Sequence, residues 1–406
     1  MYWKVQPQVF HQFKWFISKA RNRLFSKHRA CIPNPVYGFS ENLQSSKKLQ
    51  QKQKYVLLSY ITTPFTLKKE ELTRFPFSNF GIARSIVQVL NELGYIVDIV
   101  EWRDTRLSPQ RDYDLFIGHA GYNFKSISER LPKSTIRVYF FPSCRLSFLN
   151  EQESVRLADL KKRRGIQLSP VRSLPLTDEP VYTDSDAVIC FGNDFVASTF
   201  DGTSSVFALN NAAYPDSKKS ILDKNFVEAR RNFLFFAGIG NVHKGLDLLL
   251  EAFDGIDADL WIATKIERDF ALVYKRELND LPNIHLAGWI NPGTEKFYNL
   301  IQRCAYIVMP SCCEGSPGSI IECMHQRLIP VLSRESGIST ADFGITLESC
   351  DINEIRRVVK DLAAKPANWC RQISQKTIET ASREFSVEAF LQNFRTAITE
   401  VTKTKK

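Results

Sequence analysis

Short apolar runs alternate with longer amphipathic stretches along most of this chain, and the alternation predicts an α/β fold. YVLLSY (55–60), YIVDIV (95–100), DLFIG (114–118), IRVYFF (136–141) and AVICF (187–191) have the length and the β-branched or aromatic content of buried parallel strands. After the first of them, GIARSIVQVLNEL (81–93) sets Ile82, Ile86, Val89, Leu90 and Leu93 on one helical face and ends at Gly94. A second series begins near Asn232 with FLFFA (233–237), DLWIA (259–263), NIHLAG (283–288), AYIVMP (305–310) and LIPVLS (328–333). GLDLLLEAF (245–253) is a helix within it, and FSVEAFLQNFRTAITEV (385–401) is a closing amphipathic helix. The pattern predicts two doubly wound Rossmann-like domains facing a cleft, over 55–213 and 232–384, with a polar linker at 214–231 and a terminal helix at 385–406. Ligands of such sheets bind at the carboxyl ends of the strands.

Residues 1–54 follow a different pattern. Val9, Phe10, Phe13, Phe16, Ile17, Ala20 and Leu24 fall within about 120° of one helical face at ~100° per residue, flanked or opposed by Lys14, Lys19, Arg21 and Arg23. A helix lying in an anionic membrane interface has this form, over residues 9–29. A helix packed on its own body, or an acid-poor targeting peptide, has it too. Cys31 to Lys54, with PNP, Gly38 and SSKKLQQKQK, reads as linker.

Charge sharpens this division. The formal net charge is +10, and residues 1–54 hold eight Lys and three Arg against Glu41 alone, so the remainder carries 43 basic and 43 acidic side chains. A balanced body has no excess charge to spread along phosphates, which excludes a nucleic-acid-binding domain. With 44% hydrophobic and 12% aromatic residues, disorder is excluded for the body. No uncharged apolar run reaches the ~20 residues of a membrane span. The nine Cys are odd in number, form no CxxC pair and lie mostly in apolar segments, as reduced core thiols of a cytosolic protein do. Cys312 and Cys313 lack companions at zinc-like spacing, so no metal is expected.

Two constellations carry chemistry. Gly238, Gly240 and Gly245 follow the strand FLFFA, but His243 stands where a dinucleotide fingerprint needs its third Gly and Leu246 where a Walker A loop needs Lys. The turn still suits a phosphate, because backbone N–H groups and a helix N-terminus face an anion there and Lys244 adds a fixed charge. In PSCCEGSPGSIIECM (310–324), Glu314 comes directly off a strand end, Ser316 caps the next helix, Pro317 occupies its first turn, and Glu322 lies about a turn and a half in. Two carboxylates flanking a helix N-terminus fit a ligand with two sugars joined through phosphates. Glu322 alone also reads as an ordinary surface helix residue.

Lys244-Gly245 with LDLLLEAF behind it, and Glu314-Gly315 through Glu322-Cys323-Met324 in a Glu, seven residues, Glu spacing, resemble the retaining GT-B glycosyltransferases of the glycosyl transferases group 1 type. Weaker likenesses are GIARSIVQVLNELGYIVDIV, SGI (336–338) and FSVEAF, so the resemblance covers about residues 55–402. It implies transfer of a sugar from a nucleotide-sugar donor to a glycan or lipid-linked acceptor in surface polysaccharide or glycolipid assembly, without cofactor or metal. In that family's terms Lys244 neutralises the donor pyrophosphate, Glu314 holds hydroxyls of the transferred sugar, Glu322 holds the ribose, and His119 contacts the transferred sugar. Gly81, Gly240, His243, Gly245, Ser316 and Gly318 complete the implied donor site. His119 also reads as a satisfied core or loop histidine. The implied location is cytoplasmic, peripheral on the inner face of the membrane.

The chain departs from that family at three points. Ile239 stands where an Arg is usual, with His243 or Arg334 as substitutes; Phe80 stands where the first loop glycine is usual; and Ser316 stands where an aromatic or apolar residue is usual. These favour a rival reading, a non-catalytic GT-B-like scaffold recruited through its basic arm. The basic run LKKRRG (160–165), with Arg172 near, reads as a solvated loop or as a surface for a lipid-linked phosphate.

Overall fold

The structure, a computed structural model, describes residues 33–40, 53–67, 78–119, 122–174, 181–203, 205–213 and 224–403. The amphipathic segment 9–29 and its membrane contact lie outside the described residues.

Two sheets organise the chain. The first has seven strands, β1 (Val36–Phe39), β2 (Lys54–Tyr60), β3 (Tyr95–Glu101), β4 (Leu115–His119), β5 (Ile136–Phe141), β6 (Ala187–Phe191) and β7 (Val206–Leu209), in the order β1-β3-β2-β4-β5-β6-β7. All pair in parallel except β1, which runs antiparallel along β3. The second has six parallel strands, β8 (Asn232–Phe236), β9 (Asp259–Ala263), β10 (Ile284–Leu286), β11 (Tyr306–Met309), β12 (Ile329–Ser333) and β13 (Ile345–Leu347), in the order β10-β9-β8-β11-β12-β13. Central strands are buried on both faces, as their unbroken apolar runs require.

Helix α1 (Ser78–Glu92) covers one face of the first sheet through Ile82, Ile86 and Leu90. Helix α2 (Leu146–Arg164) starts on the other face, where Leu146 and Leu149 join the core, and ends in the second half, where Leu157 and Leu160 pack among Leu246, Leu249 and Phe253. Those last residues belong to helix α3 (Leu246–Phe253), which follows β8, as helix α4 (Gly318–His325) follows β11. Helix α5 (Ala367–Glu384) packs on the second half, and helix α6 (Val387–Lys403) returns to the first sheet through Phe390, Phe394 and Ile398. Among the described residues no helix is long and apolar enough to cross a membrane.

The structure differs from the sequence reading in two places within this frame. Part of the stretch from Cys31 to Lys54 is not linker: β1 pairs there with β3, and the Gly38 N–H donates to Asp98 at 2.7 Å. LKKRRG is the last turn of α2 rather than a loop, closed by Gly165 in the left-handed conformation. Its Arg163 pairs with Asp247 at 2.5 Å and also with Glu251, while Arg164 pairs with Glu251 at 3.0 Å and Glu277 at 2.8 Å. Two of the four cations are therefore spent on joining the halves, because the helix end meets an acidic face of α3.

Candidate active site

The site is assembled at the carboxyl ends of β8 and β11. After β8 the chain turns through Gly240, at φ +97°, and Gly245, at φ +79°. A Cβ on Gly245 would stand 2.4 Å from the Pro310 carbonyl oxygen, so only glycine lets the start of α3 touch the end of β11. That contact sets Lys244 against the 310–317 loop.

Lys244 Nζ donates to Glu314 Oε1, and both side chains are buried. Burial works against the Glu314 carboxylate, but the Lys244 ammonium, with Arg172 and His243, draws its pKa down to about 2. Lys244 is pushed down by burial and held up by Glu314. With the carboxylate so acidic, the pair is ionised at neutral pH. His243 lies beside it, its Nε2 2.5 Å from the Cys313 carbonyl oxygen and 3.7 Å from Glu314 Oε1. A carbonyl can only accept, which assigns the proton to Nε2, and burial lowers this histidine to about 4.

The loop carrying Glu314 is held from both halves. Glu314 N–H donates to the Glu335 carbonyl at 2.8 Å and Ser316 N–H to that of Ser336 at 3.2 Å. A Cβ on Gly315 would lie 2.3 Å from the Pro142 carbonyl oxygen, so the loop meets the turn after β5 backbone to backbone. Asn211, following β7, donates its N–H to Ser316 Oγ at 3.3 Å and its side-chain amide to the Ser316 carbonyl at 3.1 Å.

Several expected roles shift in this geometry. Ser316 does not cap α4: its φ of +50° is not the extended conformation of a cap, its hydroxyl serves Asn211, and the backbone of Pro317 takes the cap position. The Gly240 N–H is not open to a phosphate, because the Glu267 carboxylate accepts from it at 2.6 Å and from Asn241 N–H at 3.0 Å. Gly81 lies within α1, which begins three residues earlier, and not in the loop before it. Of the two substitutes for a cation at position 239, His243 is neutral above about pH 4, while Arg334 lies over the Phe195 ring at 4.5 Å and beside Glu335 at 3.3 Å.

Lys244, His243, Gly245, Glu314 and Ser316 thus come together in one buried cluster. Gly318 opens α4 at the partly exposed end of the same loop, and Glu322 lies half-buried on that helix. His119 ends β4 among aromatics of the first half, with Tyr60 stacked at 5.4 Å, Trp102 at 4.7 Å and Phe141 at 5.8 Å. Sequence reading missed Glu153 and Asn211, which reach the cluster from the first half with no local motif to mark them. Among the described residues no group of three or more His, Cys, Asp or Glu could hold a metal ion. Burial drives the Cys312 thiol far above its usual range, which leaves it inert.

Chemically the cluster offers a fixed ammonium where an anion can approach a strand end, and a permanently ionised carboxylate that accepts from hydroxyls.

Residues 230–365, about a third of the chain, match the family model described as Glycosyl transferases group 1. No curated protein matches the sequence. Among solved structures, sucrose-phosphate synthase from Thermosynechococcus elongatus is 13% identical, with 87% of this chain and 100% of that one covered and a TM-score of 0.56. Anabaena HepE in complex with UDP and glucose is 12% identical, with 86% and 100% covered and a TM-score of 0.52. TarM is 13% identical with a TM-score of 0.49, and the match takes in 79% of this chain but only 58% of TarM. The chain has the fold of the sucrose-phosphate synthase and HepE: it is a GT-B-type α/β protein of two Rossmann-like halves, whose second half carries the glycosyl transferases group 1 match.

Proposed function

We propose that this protein is a retaining, nucleotide-sugar-dependent glycosyltransferase acting on a glycan or lipid-linked acceptor in surface polysaccharide or glycolipid biosynthesis. The observation that carries the reading is the buried Lys244–Glu314 pair at the strand ends, inside the segment that matches the group 1 family. Transfer leaves negative charge on the departing nucleoside diphosphate. A desolvated ammonium beside that position is worth ~3 kcal/mol of barrier when preorganised. Glu314 takes hydroxyls of the transferred sugar, and Glu322, further along α4, takes those of the ribose. The leaving phosphate receives the acceptor proton on the same face, which gives retention without a separate base. His119 faces the sugar from the first half. No cofactor is needed beyond the donor itself, and the enzyme works in the cytoplasm, against the inner face of the membrane.

Lys244→Ala and Glu314→Ala abolish transfer while the far-UV circular dichroism and the unfolding cooperativity persist. Turnover at the wild-type rate in either variant refutes the assignment.

A second reading, the non-catalytic scaffold, draws on the same geometry: Lys244 and Glu314 satisfy each other, and Gly315 is sealed against Pro142. A thermal-shift screen with UDP-, GDP-, ADP- and CMP-sugars separates the two. Stabilisation by one donor selects the enzyme, and stabilisation by none selects the scaffold.

A further inference from the structure

Arg172 belongs to the first half, on the segment that follows α2. Two consecutive turns of α2 pin this segment. Asn150 accepts from Leu174 N–H at 3.0 Å and returns its amide to the Leu174 carbonyl at 2.8 Å. Glu153, buried, accepts the N–H groups of Val171 at 3.0 Å, Arg172 at 2.9 Å and Ser173 at 2.6 Å, together with the Ser173 hydroxyl at 2.5 Å. Four donated hydrogen bonds satisfy that carboxylate, so it does not need the Arg172 guanidinium. Burial raises the Glu153 pKa, but the Ser173 hydroxyl and the backbone donors outweigh it and hold the carboxylate ionised.

The Arg172 side chain then crosses to the second half. It packs on the turn after β8 so closely that a Cβ on Gly240 would lie 2.8 Å from its Cγ and 3.2 Å from its Cδ. Its charge acts on Glu314, Lys244 and His243 alike. Its Nε is buried and makes no hydrogen bond. A buried guanidinium N–H left without an acceptor is costly, because its lost hydration is not replaced. Arg172 and Lys244 both act on Glu314, while the cluster's second carboxylate, Glu153, is already satisfied by its own donors. The cluster therefore holds an unused planar donor beside Lys244 at the strand ends.

We infer that Arg172 is a second diphosphate-binding cation, supplied across the halves by the first one. A guanidinium offers two parallel N–H groups to one phosphate while Lys244 acts as a point charge on the other. The donor diphosphate then bridges the two halves, because one of its cations comes from each. This inference rests on the nucleotide-sugar reading and adds to it a residue outside the segment that matches the family.

Isothermal titration with UDP, GDP, ADP and inorganic diphosphate tests it, on the full chain and on Arg172→Ala, Arg172→Lys, Arg172→Gln and Lys244→Ala. Arg172→Ala and Arg172→Gln are expected to weaken nucleoside diphosphate binding roughly tenfold or more, with Arg172→Lys between them and the wild type. In turnover the same variants raise the donor KM more than they lower kcat. Wild-type affinity in a folded Arg172→Gln, with binding lost in Lys244→Ala, overturns the inference and leaves the transferase reading standing. Tighter binding in Arg172→Ala also overturns it, since the side chain would then be filling the phosphate position. If the wild type binds no diphosphate probe, both fall together.

Discussion

Burial at individual positions decides which charges this protein keeps. Glu314 stays ionised because a lysine sits on it, whereas His243, equally enclosed, is held neutral by lost solvent and by the charges of Lys244 and Arg172. Lys224 is a third case, away from the site. Its Nζ donates to the carbonyls of Ile301 at 2.9 Å and Cys304 at 2.7 Å, and no carboxylate is among the causes of its shift. Burial lowers it to about 7, with Cys304 and Cys323 opposing. In the unfolded chain it titrates near 10.5. From pH 7 upward the unfolded state thus binds more protons at this position, so its contribution to stability increases as pH rises, and below pH 7 it changes no further. Urea midpoints between pH 7 and 8.5 should rise more steeply for wild type than for Lys224→Met, a difference in which the thiols common to both chains cancel. Parallel profiles would show that Lys224 is charged in the folded protein.

Elements whose apolar residues serve a single core were legible in the sequence. β5, β6 and β9 coincide with IRVYFF, AVICF and DLWIA, α3 is an apolar run buried on nearly every side, and α6 carries one stripe. Helix α2 was not legible, for a physical reason. Leu146 and Leu149 point into the first core and Leu157 and Leu160 into the second, with buried Glu153 between them, so no single stripe forms. β1 was hidden by its length of four residues and by Gly38 at φ +68° in the middle. The candidate site divides likewise. Lys244 and Glu314 follow strands and could be placed from local pattern, while Arg172, Glu153 and Asn211 arrive through contacts 68 or more residues away in the chain or through a loop with no signature. The ion pairs at the end of α2 make its role as a strut testable. Asp247 is fully buried and its carboxyl is raised by burial against the pull of Arg156 and Arg163. Arg163→Ala should therefore lower stability by about 3 kcal/mol, and adding Asp247→Asn should recover most of it, because the loss comes from a stranded carboxylate. Additive losses in urea denaturation would instead mean that the two side chains act independently.

At the scale of the whole molecule, the surplus charge lies in the sequence ahead of the first sheet. β1 runs antiparallel to β3 with Val36 opposite Ile99 and Phe39 opposite Val97, so the chain before Val36 enters at the carboxyl edge of the first sheet. His119 ends β4 at that same edge, with exposed Tyr122 and partly exposed Trp102 beside it. Residues 1–30 contain Lys4, Lys14, Lys19, Arg21, Arg23, Lys27 and Arg29 and no acid, and without them the formal charge falls from +10 to +3. On an anionic surface each such cation contributes ~1 kcal/mol, screened within about 10 Å at 0.1 M salt. If the arm is the anchor, full-length protein sediments with vesicles containing phosphatidylserine at 0.1 M salt and is released as salt rises. The chain lacking residues 1–30 then stays in the supernatant but keeps its activity toward a soluble acceptor, because Lys244, Glu314 and Arg172 all lie in the balanced body. Sedimentation of the truncated chain at the same salt would place the contact on the body instead. Exposed Tyr122 and partly exposed Trp102 at the carboxyl edge would then be the first surface to mutate.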